Sequence, residues 1–218
     1  KPRILCVVHN TITADVFGGL EIHQDLIKEN LKGDFDFFFL FTRADQKTRE
    51  VFLTDFNYDP LYSESISETS LHEHLEHREF ERIFSYLLNK FDFDGVHFFH
   101  FMHNVPSLAH VTRAAGIPYV VSIHDFFTAC RQFNLLDHNK NYCDNTFDRI
   151  GDCDICLLRQ FNIPVGSQVK RREYYLEVLS RAAAIIFVSE NTREKYKDIY
   201  PQLDYSTSRI HGAPIPNS

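Results

Sequence analysis

Residues 119–130 read YVVSIHDFFTAC. A run rich in β-branched residues, Tyr119 to Ile123, stops at His124-Asp125, and an aromatic loop then leads to Cys130, the first of four clustered cysteines. Apolar segments that end on a polar pair mark the carboxyl edge of a parallel sheet, where open α/β folds keep their sites. His124 is therefore the first candidate functional residue, and Asp125 is placed to fix its tautomer.

Working outward, the same punctuation recurs. Gly95 to Phe99 reads as a strand, and a helix from Val105 to Ala115 carries Pro106 in its first turn. Gly116 and Pro118 end that helix and start the Tyr119 strand. Ile4 to Val8 is a buried strand, followed by His9-Asn10, a polar turn and Gly18-Gly19. Those glycines open a helix with Leu20, Ile27 and Leu31 on one side. Phe35 to Phe41 is a second, aromatic strand. Arg43 to Ser65 is weakly periodic, with Val51 to Phe56 as a short strand. Ser70 and Glu73 fit a capping box. The helix behind it shows Leu75, Phe80, Ile83, Phe84, Leu87, Leu88 and Phe91 on one face, and HEHLEHRE reads as its wet face.

Downstream, Asp125 to Gly166 is a long excursion with little periodicity, and such loops are usually functional or stapled. Ser167 caps a helix carrying Tyr175, Leu179 and Ala182. Ala184 to Val188 is again a strand, and a short helix runs from Ser189-Glu190 toward Tyr200. Arg209 to Gly212 reads as a last strand, with HGAPIPNS opening a linker. Repeated β-α order predicts a doubly wound parallel sheet. The expected domain covers residues 1–212, with a cysteine-bearing insertion at 125–166 and linker at 213–218.

Composition sets bounds on function. The chain has 218 residues, 44% hydrophobic, ample for a core. A formal net charge of -7 argues against a general nucleic-acid binder and leaves room only for a local basic patch. No 18-residue apolar run is present to span a bilayer. The strand-like opening KPRILCVV has no signal-peptide layout, and Lys1 in place of Met leads us to expect a longer parent chain. Cys6, in an apolar strand, makes the cysteine count odd at 5, which suggests a reducing, cytoplasmic setting. With Phe 21 and Tyr 10, part of the aromatic set is expected to line a cleft.

Four groups could carry chemistry. Gly18-Gly19 would expose amides at a helix N-terminus, suited to a phosphate, although a plain structural turn explains two glycines equally well. Among the 12 histidines, His97, His100 and His103 return at threes. A strand puts such residues on opposite faces, so a shared metal is not expected, while His100 or His103 at the strand's end suits a cleft. Cys130, Cys143, Cys153 and Cys156 are spaced C-x12-C-x9-C-x2-C. Structural zinc, two disulfides and free thiols stand as open readings, with His138 as a substitute ligand. Lys170-Arg171-Arg172, with Arg159 nearby, is the one basic cluster. It is either a solvated helix face or a surface toward an anionic lipid headgroup or phosphate-bearing acceptor.

With these residues in view, the chain resembles the N-terminal, acceptor-side domain of the retaining GT-B glycosyltransferases of family 4. Four stretches carry the resemblance. They are GGLEIH at Gly18 to His23, the run from Val96 to Phe127, the NLLD excursion with its cysteines, and RAAAIIFVSENTREKY from Arg181 to Tyr196. It implies a Rossmann-like half of a GT-B fold that binds a nucleotide-sugar donor and a glycan or lipid-linked acceptor. Gly18 and Gly19 would approach the donor phosphates, and His124 would position the transferred sugar, with Asp125 as orienter or proton acceptor. Phe126, Phe127 and Asn134 would wall the acceptor, and Arg171 and Arg172 would face it or the inner membrane surface. No catalytic metal is expected, and the donor-binding second domain would lie beyond this sequence. A non-catalytic Rossmann-like module and a sugar-nucleotide epimerase are the rival readings.

Overall fold

The computed structural model describes residues 1–10, 18–45, 47–67, 70–71, 74–144 and 146–212. These divide into two units, one built on Lys1–Ser122 and one on Ile123–His211. Both are α/β, with mostly parallel strands accompanied by helices.

In the first unit β1 (Arg3–Val7) is followed by α1 (Gly19–Leu31), β2 (Asp36–Ala44), β3 (Arg49–Thr54) and β4 (Pro60–Ile66). Then come α2 (Arg78–Phe91), β5 (Gly95–Phe98), α3 (Ser107–Ala114) and β6 (Tyr119–Ile123). The strand order is β4-β3-β2-β1-β5-β6. β1 pairs in parallel with β2 on one side and β5 on the other, so the order reverses direction at β1. β3 runs antiparallel to both β2 and β4, which departs from the all-parallel expectation. The sequence hides this meander because β4 is half-exposed and polar, so no apolar run marks it.

Aromatic residues fill this unit's core. Cys6, Val8, Phe37, Phe39, Phe41 and Phe99 pack together, and Phe41 stacks on Phe52 with centroids 5.3 Å apart. These phenylalanines are therefore core instead of cleft lining. α2 starts at Arg78, later than expected. Its cap is reciprocal: His77 Nδ1 accepts from Phe80 N–H, and Glu81 accepts from His77 N–H at 2.9 Å. Glu73, half of the predicted capping box, lies outside the described residues, as does the predicted linker at 213–218.

α1 inverts the predicted pattern. Its buried residues are Glu21, His23, Gln24 and Lys28, whereas Leu31 is exposed. Positions 21, 24 and 28 share one helix face, so this helix buries a polar stripe. Gln24 Nε2 donates to Tyr58, and Lys28 pairs with Asp25 while lying over the Phe56 and Tyr58 rings. A buried polar face with named partners is costly unless each group is satisfied, and it commonly marks a site.

The second unit holds α4 (Asp152–Phe161), α5 (Ser167–Ser180), β7 (Ala184–Phe187), α6 (Glu190–Ile199) and β8 (Arg209–Ile210). β7 and β8 are parallel. Its core gathers Tyr175, Val178, Leu179, Ile185, Phe187, Tyr196, Ile199 and Tyr200. The excursion at 125–166 belongs wholly to this unit and contains α4, a helix the sequence did not announce. The residue before α5, Gly166, has φ 82 and takes the left-handed cap position, so Ser167 is the first helical residue and not the cap. α6 is capped as its sequence suggests, with Ser189 Oγ accepting from Thr192 N–H at 3.1 Å.

Candidate functional site

Polar side chains gather at the carboxyl ends of β1 and β5, on either side of the strand where the order reverses. Brändén-type crevices form at such reversals because the connections depart to opposite faces. His9 follows β1, and its Nε2 lies 3.3 Å from Glu21 Oε1 in the first turn of α1. The His9 ring centroid is 5.1 Å from that of His100 and 6.3 Å from that of His103. Glu21 and His100 are buried, and His9 is only partly exposed. The cluster thus combines a carboxylate with three imidazoles.

Local backbone chemistry fixes these groups. His100 Nδ1 accepts from Met102 N–H at 2.9 Å, which places the neutral ring's proton on Nε2. His103 has φ 64, a left-handed conformation that is uncommon away from glycine. Its carbonyl accepts from Thr42 Oγ1 at 2.8 Å, and buried Arg49 donates to the same hydroxyl at 2.7 Å. Asn104 ties the loop to β1 by donating to Val8 O at 3.0 Å. His97 is separate from this cluster. Its Nε2 meets Ser122 Oγ at 2.8 Å and its ring stacks on Phe99, so it is a packed core histidine.

The glycine pair opens α1 as predicted, but for a different physical reason. Gly18 has φ -133, which any residue adopts. A Cβ at Gly18 would stand 2.5 Å from Glu21 Oε2, whereas a Cβ at Gly19 would meet nothing within 4 Å. The carboxylate of Glu21 therefore folds back over Gly18. An acid in the first turn complements the positive end of the helix dipole. Glu21 and His9 were missed as site residues. The available signal was an acid three residues after paired glycines, on a helix whose face is polar where a core face should be apolar.

His124 and Asp125 open the second unit. His124 is half-buried and comes directly after β6. Asp125 Oδ1 accepts from Phe127 N–H at 2.8 Å, so one carboxylate oxygen closes a turn in the loop. Two tyrosines from the α6 region clamp this loop from Asp125 to Thr128. Tyr196 Oη lies 2.7 Å from Thr128 Oγ1 and donates to Asp125 O at 3.1 Å; Tyr200 donates to Thr128 O at 2.7 Å. Phe126 stacks on Tyr196 at 5.8 Å.

Of the predicted wall and acceptor-facing residues, Phe127 and Arg172 are buried. Phe127 is 3% exposed and packed under Arg171, so it serves the core and not an acceptor surface. Asn134 is exposed, with Oδ1 turned to Leu136 N–H. Arg172 is 4% exposed, with Nε donating to Ala129 O at 3.2 Å. Arg171 donates to Phe127 O at 2.5 Å and lies over the Phe127 and Tyr175 rings. The basic cluster is thus largely an internal support, because the loop after Asp125 leaves carbonyls that need donors. Within the Lys170-Arg171-Arg172 run only Lys170 is exposed, as is Arg159 nearby.

Cys130, Cys143, Cys153 and Cys156 line one cavity of about 290 Å³ in the second unit. All carry free thiols. Among the described residues no group of three or more His, Cys, Asp or Glu side chains is set to hold a metal ion. Among them, too, no helix is long and apolar enough to cross a membrane.

No protein-family model matches the chain, and no curated protein matches it. Among solved structures, the C11 cysteine protease iotapain of Bacteroides thetaiotaomicron, described as secreted, is similar over 91% of this chain, at 7% identity and a TM-score of 0.31. The chain spans 50% of that structure's length. At that TM-score the likeness carries no argument about fold or chemistry.

Proposed function

We propose that the chain is the acceptor-side, Rossmann-like half of a retaining GT-B glycosyltransferase of the family 4 kind. It would help move a sugar from a nucleotide-sugar donor to a glycan or lipid-linked acceptor. The observation that carries this reading is the cluster of Glu21, His9, His100 and His103 at the carboxyl edge where strand order reverses. Two of the stretches behind the resemblance, Gly18 to His23 and the run after Val96, supply most of it. In the second unit the Arg181 to Tyr196 stretch meets the end of the Val96 to Phe127 run, through Tyr196 Oη on Asp125 O.

A sugar acceptor presents hydroxyls that need both donors and acceptors. Glu21 accepts, His100 Nε2–H donates, and His9 can do either. Retaining transfer develops negative charge on the leaving phosphate and positive charge on the sugar ring. Amides near Gly19 would oppose the first, and a carboxylate beside Gly18 makes this position demanding for an anion. His9, 3.3 Å from that carboxylate, is a side chain able to carry a compensating proton. His124 is assigned to positioning the transferred sugar, with Asp125 shaping its loop. The chemistry in this reading needs no divalent ion. Donor binding falls to a second domain outside this sequence, and the reading implies a cytoplasmic setting, at the inner membrane face for a lipid-linked acceptor.

A screen of radiolabelled nucleotide-sugars tests the reading. The chain alone is expected to give little turnover, and the natural full-length protein to transfer label to a glycan or lipid acceptor. Full activity from the chain alone, or none from the full-length protein with any donor, would favour a different enzyme or a non-catalytic module.

A further inference from the structure

We infer that the face around the cavity of the second unit is where two copies of this chain meet, as a symmetric dimer. Among the described residues eleven large hydrophobic side chains are exposed, and seven of them lie between Phe133 and Val169. Scattered apolar side chains on a surface are ordinary, but a concentration of them marks an interaction site. Three of the seven belong to one place. Tyr142 and Ile155 line the cavity and are 65% and 56% exposed, and Leu158 lies three residues further along the exposed face of α4.

The floor of the same cavity is apolar as well, with Leu135 and Leu157 buried there beside Cys130 and Cys153. A hollow of about 290 Å³ thus sits next to two projecting apolar side chains. A hollow beside a projection is complementary to itself. Under a two-fold axis close to the cavity, the rim side chains of each copy enter the hollow of the other, and the assembly closes at two chains.

The charged side chains at the cavity are engaged within their own chain. Arg149 Nη2 lies 2.9 Å from Asp152 Oδ2, and Asp137 Oδ1 accepts from the N–H groups of Asn139 and Asn141 at 2.8 Å. They suit the polar rim of an interface, where a charge that keeps its partner avoids the cost of being buried alone. They leave little to hold a small polar ligand.

Charge selects a second copy as the occupant. Residues 131–170 carry Arg131, Lys140, Arg149, Arg159 and Lys170 against five aspartates, a formal sum of zero, whereas the whole chain carries -7. Two copies repel over most of their surface, and a neutral segment with both signs interspersed lets them approach. An anionic lipid surface or a nucleic acid would need an excess of positive charge here, which the segment lacks.

Sedimentation equilibrium of the untagged chain over a wide concentration range should show reversible passage from 25.6 kDa to twice that mass. High salt should leave the dimer in place, because its central contacts are apolar. Ile155→Glu and Leu158→Glu, both at exposed helical positions, should each raise the dissociation constant by about tenfold or more. Tyr86→Glu, exposed to a similar degree on α2 of the first unit, should leave it unchanged. Far-UV circular dichroism checks that each variant keeps the parent fold. Cys143 and Cys156, partly exposed on the cavity wall, should react with a maleimide more slowly above the dissociation constant than below it. A mass of one chain at every concentration would overturn the proposal. So would a dimer whose dissociation constant ignores both α4 variants and whose cavity thiols stay equally reactive. A monomer that cosediments with vesicles of anionic lipid would overturn it in favour of a membrane surface.

Discussion

Glu21 Oε1 lies 3.3 Å from His9 Nε2, joining the first turn of α1 to the loop that leaves β1. Neither residue belongs to a hydrophobic pattern, and the pair forms only because Gly18 leaves room for the carboxylate.

That dependence separates two neighbouring glycines. Gly18→Ala puts a methyl 2.5 Å from Glu21 Oε2 and should cost about 1–3 kcal/mol through overpacking of a buried side chain. Gly19→Ala meets open space at a helical position and should stabilise by about 0.5 kcal/mol. Urea unfolding of both variants checks this, and equal effects would refute the assigned packing.

Arg172 and Lys170 form a second contrast. Arg172→Ala strips a charged donor from Ala129 O inside the second unit and is expected to cost about 2–4 kcal/mol. Lys170→Ala changes an exposed side chain and should stay within about 0.5 kcal/mol of the parent. If both cost the same, the cluster faces outward after all.

The reading from sequence was strongest where burial tracks periodicity. β1, β5, β6 and β7 fall within a residue or two of their predicted spans, since each is an apolar run cut by polar residues. It failed where polar residues are buried or apolar ones exposed. α1 hides Glu21, Gln24 and Lys28, and α4 has only Cys153 and Leu157 inside, too few for a helical stripe to register. His124 was visible because a strand ends on it. His9 and Glu21 were not, because their contact spans a segment that local pattern cannot fold. Arg172 looked like surface because a basic run on a helix usually is, and only the loop carbonyls beneath it say otherwise.

The tyrosine clamp gives a pH prediction. An unfolded tyrosine loses its proton near pH 10. Burial pushes folded Tyr175 up to about 12 and raises Tyr196 and Tyr200 as well. The folded state therefore binds more protons in that window. Stability is complete below about pH 10 and is lost as pH rises toward the folded values. Tyrosinate absorbance tracked beside circular dichroism should show these groups ionising together with unfolding. Independent ionisation near pH 10 with the fold intact would contradict their burial. Tyr196→Phe, which removes the contacts to Thr128 and Asp125, should cost about 1–2 kcal/mol.

The claim that this chain serves retaining glycosyl transfer is tested most directly by the product and by His124. In the natural full-length protein, the anomeric configuration of the transferred sugar, read by NMR, should match that of the donor. His124→Ala should lower kcat by about 2–4 kcal/mol in barrier terms while leaving the melting temperature close to the parent. An inverted product, or an unchanged kcat with a lowered melting temperature, would contradict the account and return His124 to a purely structural role.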